Sequence, residues 1–406
     1  MKHWWRSWGG KAWRLGRWAL FGAALGVVCG LAGAAFHAAV SSVTALRGAQ
    51  PWVIWLLPLG GAAVAALYSL TRQHGVGTTA VVAAAQDSGD VPALLAPTIF
   101  AGAVLTHFVG GSAGREGAAL QIGGSLASTA SRALHFSASE RSIAVLCGMA
   151  AVFSALFGTP VGAAVFVLEM TCVGALRYDA LLPCAIASGA AYAVTQALGI
   201  EATRFAVPMP ELSLGLTLRA AVLAALCALL SVGVCAAYHK TEHLAAHAIP
   251  KPVLRAVVGG CAVLALTLLF GTDYNGAGEP IFRRALETGE CAPEAFALKL
   301  LFTAVSLGFG FRGGEVVPTF FIGATFGCTV GPLLGIPAPF AAAIGLTATF
   351  CGASNCPLGT LLLALELFGG GRAEVFALVC AVSYVLSGVG GLYPNQRFLY
   401  PKGYAE

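Results

Sequence analysis

Charge is scarce in this chain. Asp, Glu, Lys and Arg supply only 10% of the 406 residues, whereas 58% are hydrophobic and the mean hydropathy is +0.81. Soluble domains stop at roughly 45–50% apolar residues, so that class is excluded. No Cys-x-x-Cys occurs among the 12 cysteines, and the closest pair, Cys351 and Cys356, lacks zinc spacing. The cysteines sit singly in apolar segments, for instance Cys29, Cys147, Cys227, Cys261, Cys328 and Cys380, where a thiol behaves as a small hydrophobe. No metal and no other cofactor is expected. Acidic residues are missing among Lys2, Arg6, Lys11, Arg14 and Arg17, which argues for a cytoplasmic amino terminus. The apolar run that follows is too long for a signal-peptide core and has no clear cleavage pattern, so it is expected to be retained. With Trp4, Trp5, Trp8, Trp13 and Trp18 interleaved, residues 1–17 read as a basic aromatic segment at the membrane interface and not as a nucleic-acid arm.

What the chain has in abundance is apolar runs of spanning length, at 18–43, 52–70, 180–198, 214–237 and 253–270 among others. Each crosses roughly 30 Å of hydrocarbon as a helix, the only open-chain form that satisfies its backbone in lipid. About a dozen such segments are expected, several too short to cross alone. The 52 glycines and the abundant alanines suit close helix packing in a bilayer. The fold class is therefore an all-α polytopic membrane protein.

An internal repeat organises it. Gly75-Val76-Gly77 recurs as Gly276-Ala277-Gly278, Ile122-Gly123 as Ile322-Gly323, and 153–160, ending in Pro160 before Glu169, as 350–357, ending in Pro357 before Glu366, each about 200 positions later. Two transmembrane halves follow, 18–205 and 206–406, joined near 204–212. Glycine- or proline-broken apolar segments at matching places in two halves point to a substrate site at mid-membrane.

Three breaks carry the chemistry. The first is Gly75-Val76-Gly77-Thr78-Thr79, expected to offer bare amides. The second, 110–124, sets Arg115 and Glu116 between the apolar stretches 91–108 and 118–130. The third, Gly313-Gly314-Glu315-Val316-Val317-Pro318, precedes the apolar stretch 319–326. An ionisable pair within a membrane segment marks an ion or proton path. A helix restarting near Gly117 would aim free N–H groups and its positive end at an anion. A carboxylate at the same place competes with the anion when ionised; when protonated it swings aside and carries a proton. Against this stand blander readings. Glu116 could merely pair with Arg115, although neighbours on a helix do not face each other. Glu315 could form an ion pair with Arg312. Glu169 and Glu366 read as caps or solvated ends, and Tyr393 as an interfacial aromatic. His239, His243 and His247 share one helical face, but without the distant support a metal site needs they read as a polar loop between two membrane helices.

Gly-Arg-Glu-Gly at 114–117 followed by Gln121-Ile122-Gly123-Gly124, the glycines at 75 and 77, the Gly-Gly-x-x-x-Pro at 313–318 and the late Tyr393 resemble the CLC family of chloride channels and anion/proton antiporters, over nearly the whole of residues 18–398. The resemblance implies a homodimer in the cell (inner) membrane, built from two inverted-topology repeats of full and half-crossing helices, with one anion pathway per subunit and no enzymatic activity. It also implies a bacterial-type core without cytoplasmic regulatory domains. It places Glu116 on the family's external gating glutamate, Val76 on its pore serine, Val316 on the phenylalanine of its third motif and Tyr393 on its pore tyrosine. The anion-binding set is then Val76, Gly77, Gly114, Arg115, Gly117, Val316, Val317 and Tyr393, with Glu116 and Glu315 gating and transferring protons. The family's internal proton glutamate aligns with Met170, which leaves Glu169 alone. With Glu315 inside the third motif and an apolar residue at 76, the chain is most similar to the fluoride-exporting branch. The expected partners are fluoride or chloride ions, protons and the lipid bilayer, and the expected function is fluoride/proton antiport. The alternatives are a chloride channel or chloride/proton exchanger, a small organic anion transporter, or a membrane enzyme using the histidines.

Overall fold

The computed structural model describes residues 2–73, 75–87, 89–400 and 402, with side chains described from Trp13 onward. The side chains of Trp4, Trp5 and Trp8, expected in an interfacial belt, lie outside the described residues. The first half comprises α1 (Lys2–Ala49), α2 (Leu57–Leu70), α3 (Thr78–Asp87), α4 (Leu95–Val109), α5 (Glu116–Ala133), α6 (Ala138–Phe157), α7 (Pro160–Glu169) and α8 (Leu181–Ala197). The second half repeats the series as α9 (Leu214–Ala248), α10 (Pro252–Phe270), α11 (Glu279–Glu287), α12 (Ala295–Gly308), α13 (Val316–Val330), α14 (Ala338–Ser354), α15 (Pro357–Leu367) and α16 (Ala373–Leu386). Seven described helical segments are long and apolar enough to cross a membrane, and six more are apolar but shorter. The chain is a multi-pass membrane protein of full and half-crossing helices.

The repeat extends to the helix ends. Gly110 (φ 95°) follows α4 as Gly310 (φ 110°) follows α12. Left-handed Gly158 closes α6 where left-handed Asn355 closes α14, and Pro160 and Pro357 then open the next helix. Proline suits the first helical turn because its missing N–H would have no acceptor there. Helix pairs repeat as well: α5 packs on α6 through Gly123 and Gly148, and α13 on α14 through Gly323 and Gly345.

The two halves are inverted, as the ends of α7 and α15 demonstrate. Glu169, last residue of α7, accepts from Leu358 N (3.2 Å) and Gly359 N (2.7 Å) at the start of α15. Glu366, near the end of α15, accepts from Val161 N (3.1 Å) and Gly162 N (2.7 Å) at the start of α7. The helices therefore lie antiparallel, each carboxylate supplying acceptors to the free amides and positive dipole end of its counterpart. The cap reading of these glutamates fits this geometry, with the cap placed on the other half.

A two-residue parallel pair of β1 (Cys172–Val173) and β2 (Arg397–Phe398) anchors the carboxyl-terminal segment. Just before it, Gln396 donates to Met170 O (3.1 Å) and Ser354 O (2.8 Å), while Leu392 N donates to Ala353 O (2.8 Å). These bonds press the Tyr393 turn into the interior.

Candidate functional site

The site is built where two broken helices cross. After α4 the chain turns at Gly110 and restarts as α5, with Arg115 as N-cap; after α12 it turns at Gly310 and restarts as α13, with Glu315 as N-cap. At the crossing, Gly114 N donates to Gly314 O (2.8 Å) and Gly314 N to Gly114 O (2.7 Å). Glycine is required for so close an approach: a Cβ on Gly117 would stand 2.7 Å from Gly314 Cα, and one on Gly114 2.7 Å from Glu116 Oε2. Nothing bulkier separates the two halves here.

Each break borders a different cavity. Glu116 lines one of about 680 Å3 together with Arg47, His107, Arg115, Glu279 and Val317. Glu315 lines another of about 270 Å3 together with Val76, Gly77, Gln121, Arg312 and Tyr393. The Gly75 to Gly77 turn faces the Glu315 cavity, and its repeat counterpart, Ala277 and Gly278, faces the Glu116 cavity, as inversion requires. The two acidic residues are not counterparts. Glu315 and Arg115 are the matching N-caps, and Glu116 and Val316 are the matching first residues of α5 and α13.

Glu116 is 1% exposed and folds back over its own turn. Its Oε2 accepts from Arg115 N (2.9 Å) and its Oε1 lies 3.4 Å from Arg115 Nε. This corrects the expectation that the two side chains do not meet: Arg115 precedes the helix, so the helical spacing rule does not govern it. Arg115 is shared, with Nη1 also 2.9 Å from His37 Nδ1. Glu315, by contrast, forms no ion pair with Arg312 among the described residues; the Arg312 guanidinium lies 4.3 Å from the Tyr68 ring centre. The first-turn amides of α5 and α13, including those of Gly117, Val316 and Val317, have no acceptor within their helices. Pro318 contributes no donor to that turn. One expected donor is committed elsewhere: Val76 N donates to Gln73 O (3.2 Å).

Tyr393 is 2% exposed, faces the Glu315 cavity and has no partner for its hydroxyl among the described residues, which sets aside the interfacial reading. The histidine run is also corrected. It forms the last turns of α9 and not a loop; His239 lines the Glu315 cavity, whereas His243 and His247 are exposed. No group of three or more metal-ligating side chains occurs among the described residues.

Reasoning from sequence missed Lys299. It is fully buried on α12 and donates to Tyr274 O (3.0 Å) and Gly276 O (2.6 Å), with no carboxylate partner among the described residues. It thus braces the 274–278 turn, which Gly276 N and Asn275 Nδ2 fasten to Gly111 O (3.1 Å) and Gly110 O (2.6 Å) beside Glu116. A lone lysine within the apolar stretch 295–308 was the available signal.

In chemical terms, two separate cavities with no lining residue in common flank the elements that meet at one peptide crossing. Each presents a carboxylic acid, and at the starts of α5 and α13 stand first-turn amides with no acceptor in their own helices. Such an arrangement can hold an anion by dipoles and exchange protons with either side.

Comparison with known proteins agrees with this architecture. A chloride/fluoride channel protein from Pseudomonas syringae pv. tomato is 35% identical over 401 residues, covering 96% of this chain and 88% of that protein. The crystal structure of a CLC-type fluoride/proton antiporter superposes with a TM-score of 0.91 at 28% identity, covering 95% of this chain and 99% of that one. A slow cyanobacterial chloride/proton antiporter shares the fold, with a TM-score of 0.79 at 17% identity over 91% of this chain and 94% of that one. The family model for voltage-gated chloride channels matches residues 60–388, and the chain belongs to that family, the CLC proteins.

Proposed function

We propose that the protein is a fluoride/proton antiporter that exports fluoride from the cell, and the observation carrying this reading is that Glu116 and Glu315, beside the Gly114 and Gly314 crossing, line two separate cavities. The fluoride/proton antiporter of similar structure and the chloride/fluoride channel protein support the choice of ion. Two halves, 18–205 and 206–406, form one pathway. The basic residues before Trp18 lie in the cytoplasm, so α1 carries Arg47 outward; the Glu116 cavity then opens outside and the Glu315 cavity inside. The working unit is a homodimer in the cell (inner) membrane.

Fluoride is compact and strongly hydrated, so it requires strong donors. The amides of Gly117, Val316 and Val317 and the Tyr393 hydroxyl supply them, with Val76, Gly77 and Gly114 forming the walls. Ionised, Glu116 occupies the Arg115 amide at 2.9 Å. A proton arriving from outside weakens that charge-assisted bond, the carboxyl withdraws, and fluoride takes its place. Arg115 keeps the vacated position attractive to an anion. Glu315 performs the inner half of the exchange and releases the proton to the cytoplasmic cavity.

The decisive experiment is fluoride and chloride efflux from liposomes with a simultaneous pH reading. Fluoride efflux should carry protons inward, and Glu116→Gln, which cannot titrate, should abolish the proton signal while anion movement is blocked or uncoupled. Proton coupling that survives in Glu116→Gln removes Glu116 from the role assigned to it. Chloride moving as readily as fluoride favours a chloride exchanger.

A further inference from the structure

We infer that Tyr238 is a second phenol ligand of the transported anion and helps to set its preference for fluoride, an inference that rests on the antiport reading above. Tyr238 lies near the end of α9, on a different element from Tyr393, yet both line the Glu315 cavity. Tyr238 is 6% exposed, and like Tyr393 its hydroxyl is buried without a partner among the described residues. Leaving a buried O–H without an acceptor is costly, and both phenols line the same polar cavity. The Thr319 and Thr303 hydroxyls beside Tyr238 spend their own protons elsewhere, and neither forms a hydrogen bond with the phenol. Thr319 Oγ1 donates to Glu315 O (2.7 Å), and Thr303 Oγ1 pairs with Ser112 Oγ (2.9 Å). A small anion held in that cavity beside the Glu315 carboxyl would give both phenols an acceptor.

The same chemistry favours fluoride over chloride. A phenol O–H makes a short, strong bond to a compact anion, and a site built of such donors rejects an ion too large to use them fully. An ionised Glu315 would compete for these hydroxyls, so the anion settles best when Glu315 holds a proton. Anion and proton thereby meet in one cavity.

Tyr238→Phe removes only the O–H. In liposomes the variant should require roughly tenfold more fluoride for half-maximal flux and lose a similar factor in fluoride over chloride preference, the scale of one hydrogen bond to an ion. Its proton-to-anion ratio should match that of the parent. Fluoride titration of the purified protein should show the same weakening in the absence of transport. Thr303→Val is the control for a purely structural hydroxyl, lowering the melting temperature without touching preference. The inference is overturned if half-saturation and preference in Tyr238→Phe stay within about twofold of the parent, or if the variant, like the control, changes only thermal stability. A parent that neither prefers fluoride nor moves protons refutes the antiport reading itself, before any variant is compared.

Discussion

The crossed caps of α7 and α15 make the sharpest stability prediction, because they distinguish a structural glutamate from a pathway glutamate. Glu169→Ala strips two acceptors from Leu358 N and Gly359 N in a buried setting. Each orphaned N–H costs about 1–3 kcal/mol, and the lost charge at a helix amino terminus adds up to about 2 kcal/mol. Relief from burying a carboxylate offsets part of this, and neighbouring terms do not add fully. A net loss of about 3 kcal/mol remains. Glu366 makes the matching bonds at 3.1 and 2.7 Å but is half-buried, so water can replace it. Its alanine variant should lose about half as much. The assay is thermal denaturation in detergent alongside liposome flux at a permissive temperature. Glu169→Ala should melt several degrees lower, Glu366→Ala less so, and both should retain the parent's proton-to-anion ratio. Unchanged melting of Glu169→Ala together with loss of proton coupling would show that the capping argument is mistaken and that Glu169 belongs to the pathway.

Three further outcomes follow from the site. Gly314→Ala places a methyl group against Gly117 N and Cα and disrupts the paired bonds at 2.8 and 2.7 Å, so flux should collapse and stability should fall by about 2 kcal/mol or more, read by flux and melting. Glu315→Gln keeps the shape of the cavity but removes its titratable group; fluoride preference or turnover should fall several-fold in the efflux assay, and parent-like kinetics would count against its role. Replacing His239, His243 and His247 with alanine together should leave transport within about twofold of the parent, whereas a membrane enzyme using those side chains would lose its activity and tolerate Glu116→Gln.

Much of this was readable before folding was considered. The repeat showed in the recurrence of Gly75 to Gly77 at Gly276 to Gly278 and of the Pro160 helix start at Pro357, because helix-breaking residues mark ends wherever they occur. The start of α5 lay within one residue of the expected position, since Gly-Arg-Glu-Gly leaves little else for the backbone to do. What stayed hidden was three-dimensional. Antiparallel halves cannot be inferred from order alone when several helices stop midway, and it is the bonds of Glu169 and Glu366 across the repeat that reveal them. Arg115 meets Glu116 because it stands before the helix, a difference of one residue that no periodicity resolves. The histidine run reads as a polar connection, yet α9 simply continues past the apolar segment and brings Tyr238 and His239 to a cavity wall. Tyr238 itself gave no warning, for an aromatic at the end of a membrane helix is ordinary.

The close Gly114 and Gly314 contact, beside which the Glu116 and Glu315 cavities stay separate, also has an electrical meaning. Where water fills the spaces on either side, bulk potential extends deep into the protein, and most of the transmembrane voltage falls across this short stretch of peptide. Moving one elementary charge through the full drop is worth about 2.3 kcal/mol per 100 mV. An anion passing outward and a proton passing inward both carry charge in the same direction across that gap. Exchange should therefore generate current, and a negative-inside membrane should drive it towards expulsion.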